Sequence, residues 1–189
     1  MTGDALEHSP VVVVMGISAA GKSAVGAELA RELDVDFVDG DDLHPAVNIA
    51  RMSAGQALTD DDRGPWLNAV GARLAEAEGG TGVVVACSAL RRRYRNRLRA
   101  AAPSAVFVHL SGSPALLAAR AAARSDHFMP PTLLSSQIAA LEALEADEAG
   151  VTIDVSGTVD DIVFAAADWL RMCGTTTELN PVGTKGGER

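Results

Sequence analysis

Basic residues are scarce in this sequence, in which 16 lysine and arginine residues face 25 aspartate and glutamate residues, for a formal net charge of −9. Proteins that bind nucleic acids need an excess of lysine and arginine to neutralise phosphates, so we expect no nucleic-acid partner. Cysteine is scarce too, and Cys87 and Cys173 alone make no disulfide framework. The longest apolar run, residues 11–17, is far shorter than the roughly 20 residues that span a bilayer, and the N-terminus does not resemble a signal peptide. We therefore expect a cytoplasmic protein without membrane contact.

The composition indicates a single globular domain. The chain has 189 residues, of which 48% are hydrophobic, which is enough to bury a core but too short for two ordinary domains. Residues 1–9 and 174–189 show no hydrophobic periodicity, so we expect flexible tails there and one domain over residues 10–173.

Apolar, β-branched runs alternate with helical patterns along this domain. The predicted strands are residues 11–15, 35–38, 83–87, 105–110 and 151–155. The predicted helices are residues 22–33, 45–53, 64–78, 90–101, 114–124, 132–147 and 159–172. Several strands are apolar on both faces, as expected where helices cover both sides of a parallel sheet. The alternation predicts a three-layer α/β domain with a parallel five-stranded sheet and helices on both faces.

Residues 16–23 read GISAAGKS and match the phosphate-binding pattern G-x-x-x-x-G-K-[ST]. They lie between a predicted strand and a predicted helix, so their backbone N–H groups can surround the phosphates of ATP. Lys22, one of only two lysines in the chain, can reach the β- and γ-phosphates, and the Ser23 hydroxyl can ligate Mg²⁺. A chance glycine-rich turn is the alternative. The pattern favours a P-loop NTPase-type domain, whose expected nucleotide ligands are Gly16, Ser18, Ala19, Ala20, Gly21, Lys22, Ser23 and Ala24.

The second predicted strand runs into a loop that carries Asp39 and Asp41. In open α/β sheets ligands bind outside the carboxyl ends of the strands, so this loop is expected to face the phosphate loop. One carboxylate could hold Mg²⁺ through water, and the other could accept a proton from an attacking substrate hydroxyl. The alternative is an acidic turn that caps the next helix with Asp41 or Asp42. His44 alone would more often be a surface histidine.

Four separated segments of the chain resemble the gluconokinase family, in the order in which that family carries them. They are DGDDLHP at residues 39–45 with Asn48 following, LTDDDRGPWL at 58–67, CSALRRRYR at 87–95, and DHFM at 126–129. The resemblance covers roughly residues 10–165, which makes it far more specific than the phosphate loop alone.

This resemblance implies transfer of a phosphoryl group from ATP to the 6-hydroxyl of D-gluconate, with Mg²⁺, on a fold related to shikimate and adenylate kinases. It implies Asp41 as the general base and Asp39 as a partner of Mg²⁺ through water. The acceptor would be bound by Asp41, His44, Arg51, Arg63, Ser88, Arg95, His127 and Gln137. Gluconokinases also suggest a homodimer, although no surface stripe in this sequence identifies a contact face.

Arginine is the residue type that would bind an anionic sugar acid and the transferred phosphate. Arg51 and Arg63 could grip a carboxylate or could be ordinary surface ion pairs. Residues 91–99 hold six arginines, but Leu90, Tyr94 and Leu98 form the predicted buried stripe of that helix, so only Arg95 is expected in the site.

Arg120 and Arg124 lie four residues apart ahead of a segment rich in helix breakers. In related kinases such a segment, here about residues 120–132, is a mobile lid whose arginines close over ATP and act in catalysis. An amphipathic helix that ends in an ordinary loop is the alternative.

The chain departs from the family at several positions. Ala19 and Ala20 replace the usual glycine and serine, which we expect to be tolerated if φ stays negative. Asp126 replaces a glycine before His127, and the third strand ends in Cys87 and Ser88 rather than in the aspartate that often binds Mg²⁺. Two other functions stay open: a kinase of another small hydroxy acid such as shikimate, and a nucleotide-binding regulatory module.

Overall fold

The protein forms a five-stranded parallel sheet with helices on both faces, in a computed structural model that describes residues 9–123 and 132–176. The strands are β1 (Val11–Met15), β2 (Asp36–Asp39), β3 (Val83–Ala86), β4 (Val106–Ser111) and β5 (Gly150–Asp154), in the order β2-β3-β1-β4-β5. The helices are α1 (Lys22–Leu33), α2 (Ala46–Ser53), α3 (Asp60–Ala77), α4 (Arg92–Ala101), α5 (Pro114–Ala123), α6 (Thr132–Ala140) and α7 (Val159–Thr176). A 3₁₀ turn at Gly40–Leu43 follows β2. The predicted α/β class and parallel sheet are confirmed.

The central strand β1 shows why the sequence folds in three layers. All five of its residues are buried, and it pairs with β3 on one side and with β4 on the other. Because successive side chains point to opposite faces, Val12 and Val14 pack in one core, which also contains residues of α1 and α7. Val11 and Val13 pack in the other core, which contains residues of α3 and α4. The carboxyl end of β1 therefore opens between two layers of helices.

Helix α3 begins four residues earlier than predicted, because a capping box starts it. The Thr59 hydroxyl accepts from the Asp62 N–H at 3.2 Å, and the Asp62 carboxylate accepts from the Thr59 N–H at 2.9 Å. Pro65 lies inside the helix. The predicted helix start at residue 64 is therefore wrong.

Helix α6 ends at Ala140, so the prediction of a helix to residue 147 is wrong. The carbonyls of Glu142 and Ala143 accept from the Arg95 guanidinium at 3.0 and 3.2 Å. The Glu142 N–H donates to the Leu90 carbonyl at 2.8 Å. Tertiary hydrogen bonds thus replace those that would continue the helix.

Helix α7 runs to Thr176, past the predicted domain end at 173. Within the described residues, no helix combines the length and apolar character needed to cross a bilayer. Most of the expected lid, residues 124–131, falls outside the described residues.

Candidate functional site

The phosphate loop connects β1 to α1 and is shaped by its glycines. Gly16 has a φ of 146°, and a Cβ at that position would lie 2.7 Å from the Leu110 carbonyl oxygen. Gly21, which precedes the first residue of α1, has a φ of 95°. Both backbone conformations suit glycine, as the sequence pattern predicts. The Lys22 Nζ donates to the Ile17 carbonyl at 3.1 Å, so the ammonium lies across the loop that it is expected to serve.

Ala19 does not have the negative φ that was expected. Its φ is 65°, in the left-handed region that costs an alanine about 1–2 kcal/mol, and its side chain is buried. The loop therefore holds Ala19 in a backbone conformation that an alanine disfavours.

The carboxylate of Asp39 joins the phosphate loop to the loop after β2. It accepts from the Ser23 hydroxyl at 2.6 Å and, through its other oxygen, from the Asp41 N–H at 3.1 Å. Asp39 is thereby the N-cap of the 3₁₀ turn, while the N-cap of α2 is Pro45 and not Asp41 or Asp42, the residues that the sequence alternative gave. Gly40 allows the 3₁₀ turn to pack closely against the end of β3, since a Cβ at this position would lie 2.4 Å from the Ala86 carbonyl oxygen. Asp41, two residues after Asp39, lines a cavity.

One cavity runs from the phosphate loop to helices α3 and α4. Its phosphate end is lined by Ser18, Ala19, Gly21, Lys22 and Ser23. Its remaining walls are formed by Asp41, His44, Met52, Gln56, Ala57, Leu58, Arg63, Trp66, Ser88, Leu90, Arg91, Tyr94, Ser136, Gln137 and Ala140. A carboxylate, two arginines and several apolar side chains therefore share one space with the loop.

His44 lies in this cavity rather than on the open surface. Its ring stacks on the indole of Trp66, with centroids 4.3 Å apart and planes 10° from parallel. The Trp66 indole N–H donates to the Gly40 carbonyl at 2.6 Å, which ties α3 to the 3₁₀ turn. Burial, and then the charge of Arg63, lowers the pKa of His44 from 6.5 to about 4, so the imidazole is neutral near pH 7.

The far end of the cavity carries two arginines around Tyr94. The Arg63 guanidinium donates to the Leu58 carbonyl at 2.6 Å and lies 5.8 Å from the centre of the Tyr94 ring. Arg91 lies 3.5 Å from the carboxylate of Asp60, which also accepts from the Tyr94 hydroxyl and pairs with Arg93. The Tyr94 hydrogen bond is the main cause that lowers the pKa of Asp60. Asp60 is thus a stable anion that holds Arg91, Arg93 and the Tyr94 hydroxyl together at this end of the cavity.

Arg91 and Tyr94 are cavity residues that the sequence analysis missed. The sequence pattern favoured solvent for the arginines of this stretch other than Arg95, and the core for Tyr94. The signal that could have found Arg91 is its place in the loop after β3, because parallel strands present their ligands at that edge.

Gln137 lies on α6 and contacts the phosphate loop. Its side-chain oxygen accepts from the Ser18 N–H at 2.6 Å, across 119 residues of sequence. Gln137 therefore lies beside the phosphate loop, and its expected contact with the acceptor stays a prediction.

Arg95 does not line the cavity, and its expected role as an acceptor ligand is wrong. Its side chain is fully buried, and Nε and Nη2 donate to the Glu148 carboxylate at 2.6 and 2.7 Å. Its remaining hydrogen bonds go to backbone carbonyls, including that of Glu142. The guanidinium joins α4 to the segment before β5 and has no donor left for a substrate.

Several other predicted residues also lie outside the cavity lining. Arg51 pairs with Asp62 at 2.5 Å, which is the surface ion pair given as its alternative. Arg120 donates to the Val155 carbonyl at 2.7 Å. Arg124 and His127 lie outside the described residues. The cavity lining also lacks Gly16, Ala20, Ala24 and Asp39, of which Asp39 reaches the site through Ser23.

The chain is similar to known proteins over most of its length. A family model described as an AAA domain matches residues 11–144. The chain is similar to a gluconokinase of Gluconobacter oxydans, at 47% identity over 77% of this chain and 82% of that protein. It is similar to the thermosensitive gluconokinase of Escherichia coli, at 41% identity over 79% of this chain and 81% of that protein. A crystal structure of a gluconokinase from Sinorhizobium meliloti matches with a TM-score of 0.82 and 45% identity, over 89% of this chain and 95% of that one.

Proposed function

The chain belongs to the gluconokinase family, and on that premise we propose that it transfers the γ-phosphoryl group of ATP to the 6-hydroxyl of D-gluconate, giving 6-phospho-D-gluconate and ADP. One observation carries the proposal beyond the similarity: a single cavity holds the phosphate loop, the carboxylate of Asp41 and the guanidinium groups of Arg63 and Arg91. A phosphate donor, an alcohol and a carboxylate can therefore be bound in one space.

The phosphate loop is proposed to hold ATP through its backbone N–H groups and the N-terminus of α1. Lys22 leaves the Ile17 carbonyl to contact the β- and γ-phosphates, where an ammonium offsets charge that develops during transfer. Arg120 and Arg124 are proposed to add positive charge when the segment around them closes over the nucleotide. Most of the catalysis is positioning and charge neutralisation.

Asp41 is proposed as the general base. As the 6-hydroxyl oxygen bonds to the γ-phosphorus, its O–H bond breaks and the proton passes to the Asp41 carboxylate, while the bond from phosphorus to the β,γ-bridging oxygen breaks and ADP leaves. The position of Asp41 in the cavity lining, with Asp39 fixing its backbone, supports this role.

Mg²⁺ is part of the proposal, and the oxygen donors present suit it. The Ser23 hydroxyl and the Asp39 carboxylate lie 2.6 Å apart, and Mg²⁺ prefers such hard oxygen ligands. Among the described residues no cluster of three or more histidine, cysteine, aspartate or glutamate side chains could hold the ion alone. We therefore assign Ser23 as a ligand and Asp39 as the holder of a metal-bound water, with the nucleotide completing the shell. When bound, the ion neutralises charge on the transferring phosphate.

The acceptor end of the cavity suits a polyhydroxy acid. Arg63 and Arg91 are proposed to bind its carboxylate, because a guanidinium can donate two parallel hydrogen bonds to that group. His44, Ser88 and Gln137 offer hydrogen bonds to hydroxyl groups, and Trp66 offers an apolar face. We also propose a cytoplasmic location. We further propose a homodimeric assembly, and light scattering of the purified protein would measure its molar mass.

A coupled assay of ADP release over a panel of acceptors tests the proposed function. The panel contains D-gluconate, other aldonic acids, shikimate and glucose, each with ATP and Mg²⁺. D-gluconate is expected to have the highest kcat/KM, and glucose, which lacks the carboxylate, the lowest. A preference for shikimate would mean that shikimate, and not D-gluconate, is the acceptor. Absence of ADP release with every acceptor would favour a regulatory nucleotide-binding module. Lys22→Ala, purified in the same way, controls for contaminating kinases.

A further inference from the structure

The side chain of Asn48 is buried although it is polar, and it has no part in the site described so far. It lies on α2 with 2% of its surface exposed, between His44 and the first turn of α3. Its Nδ2 lies 2.7 Å from the Asp62 carbonyl oxygen and 3.5 Å from the Nδ1 of His44. A buried amide in this position lies beside His44, the one histidine among the described residues that lines the cavity.

The Asp62 carbonyl decides which way the Asn48 amide points. A carbonyl oxygen only accepts hydrogen bonds, so the group that faces it must be the NH₂ and not the oxygen of the amide. One hydrogen of this NH₂ is used by Asp62, and the second is available to the His44 ring. In a hydrogen bond with this NH₂, His44 Nδ1 is the acceptor, and a ring nitrogen that accepts carries no proton.

The neutral state of His44 completes the assignment. Burial and the charge of Arg63 on α3 keep the ring neutral near pH 7. Among the described residues, the other charged ones that line the cavity are Lys22, Asp41 and Arg91. A neutral imidazole carries one proton, which must lie on Nε2 if Nδ1 has none. Within residues 9–123 and 132–176, no protein group pairs with Nε2, and stacking on Trp66 fixes the plane of the ring.

We propose that Asn48 is a positioning residue that holds the proton of the His44 imidazole on Nε2, so that His44 donates a hydrogen bond to a hydroxyl oxygen of the acceptor. Arg63 and Arg91 bind the carboxylate. The Nε2–H then selects for acceptors that carry a hydroxyl group at one position of the carbon chain. This role of Asn48 rests on the proposed function, because it needs a hydroxylated acceptor in the cavity.

The tautomer can be measured directly on the whole protein. Histidine labelled with ¹⁵N gives separate ring resonances for protonated and unprotonated nitrogens, and the spectrum of His44→Gln identifies the His44 signals among those of the four histidines. We expect Nδ1 to be unprotonated and Nε2 protonated throughout pH 6 to 8, with the Nε2 resonance shifting when D-gluconate is added. A proton on Nδ1, or averaged signals from both tautomers, would overturn the proposal.

Asn48→Asp tests the cause of the tautomer. A carboxylate can only accept, so the proton is expected to move to Nδ1 and the pKa of His44 to rise. KM for D-gluconate should then increase about tenfold, while KM for ATP stays within twofold. Asn96→Asp adds the same charge on an exposed position of α4 and should leave both constants unchanged. An unchanged His44 tautomer in Asn48→Asp would contradict the role of Asn48.

A second pair of variants covers the case in which Asn48→Asp does not fold. His44→Gln keeps an N–H donor near the Nε2 position, whereas His44→Leu keeps bulk without any donor. KM for D-gluconate should rise by less than about threefold in the glutamine variant and by about tenfold or more in the leucine variant. Equal effects would show that His44 acts only by packing. The ring spectrum of the ligand-free protein does not depend on turnover, so failure of the proposed function and failure of this proposal are distinguishable.

Discussion

The Ser23 hydroxyl donates a 2.6 Å hydrogen bond to the carboxylate of Asp39, and this contact links the phosphate loop to the turn that carries Asp41. Ser23 lies in the first turn of α1, which follows β1, and Asp39 is the last residue of β2, so their contact depends on β1 and β2 ending at the same edge of the sheet. Strand β3 separates these two strands, and Cys87 directly follows its last residue. Burial raises the pKa of the Cys87 thiol to about 12, which keeps it protonated and unfit to bind a cation. Asp39 is therefore the acidic group nearest to Ser23 that could serve Mg²⁺.

Replacing Asp39 by asparagine should raise the Mg²⁺ requirement. The amide keeps the size of the side chain but loses the charge that holds a metal-bound water, so half-saturating free Mg²⁺ is expected to rise at least about tenfold. Initial rates at fixed ATP over a Mg²⁺ series measure this. Asp36→Asn, on the exposed start of the same strand, is the matched control. An unchanged Mg²⁺ dependence in Asp39→Asn would remove Asp39 from the metal site.

Replacing Asp41 by asparagine should reduce kcat far more than it weakens ATP binding. The amide cannot take the proton of the attacking hydroxyl, and general-base catalysis contributes about 10²- to 10⁴-fold. KM for ATP should stay within about threefold, since the loop N–H groups are untouched. Asp42→Asn changes an exposed neighbour on the same turn and should have little effect. A collapse of ATP affinity in Asp41→Asn would show that Asp41 supports the nucleotide instead.

Replacing Arg91 by glutamine should weaken binding of the acceptor without weakening binding of ATP. Loss of a charged hydrogen bond to the carboxylate is expected to raise KM for D-gluconate about ten- to hundredfold, with KM for ATP unchanged. Arg93→Gln removes a more exposed guanidinium that pairs with the same Asp60, and it controls for the loss of that ion pair. Steady-state kinetics with each substrate varied in turn separate the two effects. Equal behaviour of the two variants would place the carboxylate elsewhere.

How much of this molecule could be predicted from its sequence depends on how local each feature is. The phosphate loop is encoded within eight residues, so its place between β1 and α1 could be read directly. Leu90, Tyr94 and Leu98 recur at helical spacing, and their predicted burial is confirmed. Arg95 shares that helix, but its partner Glu148 lies 53 residues away and no local pattern identifies it.

The failed predictions have the same cause. The helix predicted to residue 147 has the right residue types, yet Arg95 takes the carbonyls that would continue it. Arg91 looked like a solvated charge because its spacing says nothing about the cavity at the end of β3. The positive φ of Ala19 is imposed by the loop as a whole, since alanine has no preference for it.

Removing the carboxylate of Glu148 should destabilise the fold without altering substrate affinity. The ion pair with Arg95 is buried on both sides, with side-chain exposures of 0% and 1%, and an uncompensated buried guanidinium is costly. Glu148→Ala is therefore expected to lower the free energy of unfolding by about 3–5 kcal/mol. Glu145→Ala, which loses only an exposed partner of Arg92, should cost less than about 1 kcal/mol. Urea denaturation measures both. A rise in KM for D-gluconate in the folded Glu148→Ala protein would show that Arg95 contributes to acceptor binding after all.

His109 should make the protein less stable as the pH falls from 7 to 5. It lies on β4 with 4% of its surface exposed, its Nδ1 is 3.4 Å from the Thr152 hydroxyl, and no group in the described part of the chain pairs with its Nε2. Burial, and then the charge of Arg95, lowers the pKa of His109 below 6.5. Below pH 6.5 the unfolded chain therefore binds a proton at His109 more readily than the folded chain does. As the pH falls, this difference lowers the free energy of unfolding by up to about 1.4 kcal/mol per pH unit.

His109→Leu removes this titration while it keeps an apolar side chain in the core. The lowered pKa of His44 gives a slope of the same sign in both proteins, so the difference between them isolates His109. Urea denaturation at pH 5, 6 and 7 should show a smaller loss of unfolding free energy in the variant than in the wild type. Equal slopes would mean that the folded protein protonates His109 as easily as the unfolded chain does, and that the Arg95 charge beside β4 is screened from it.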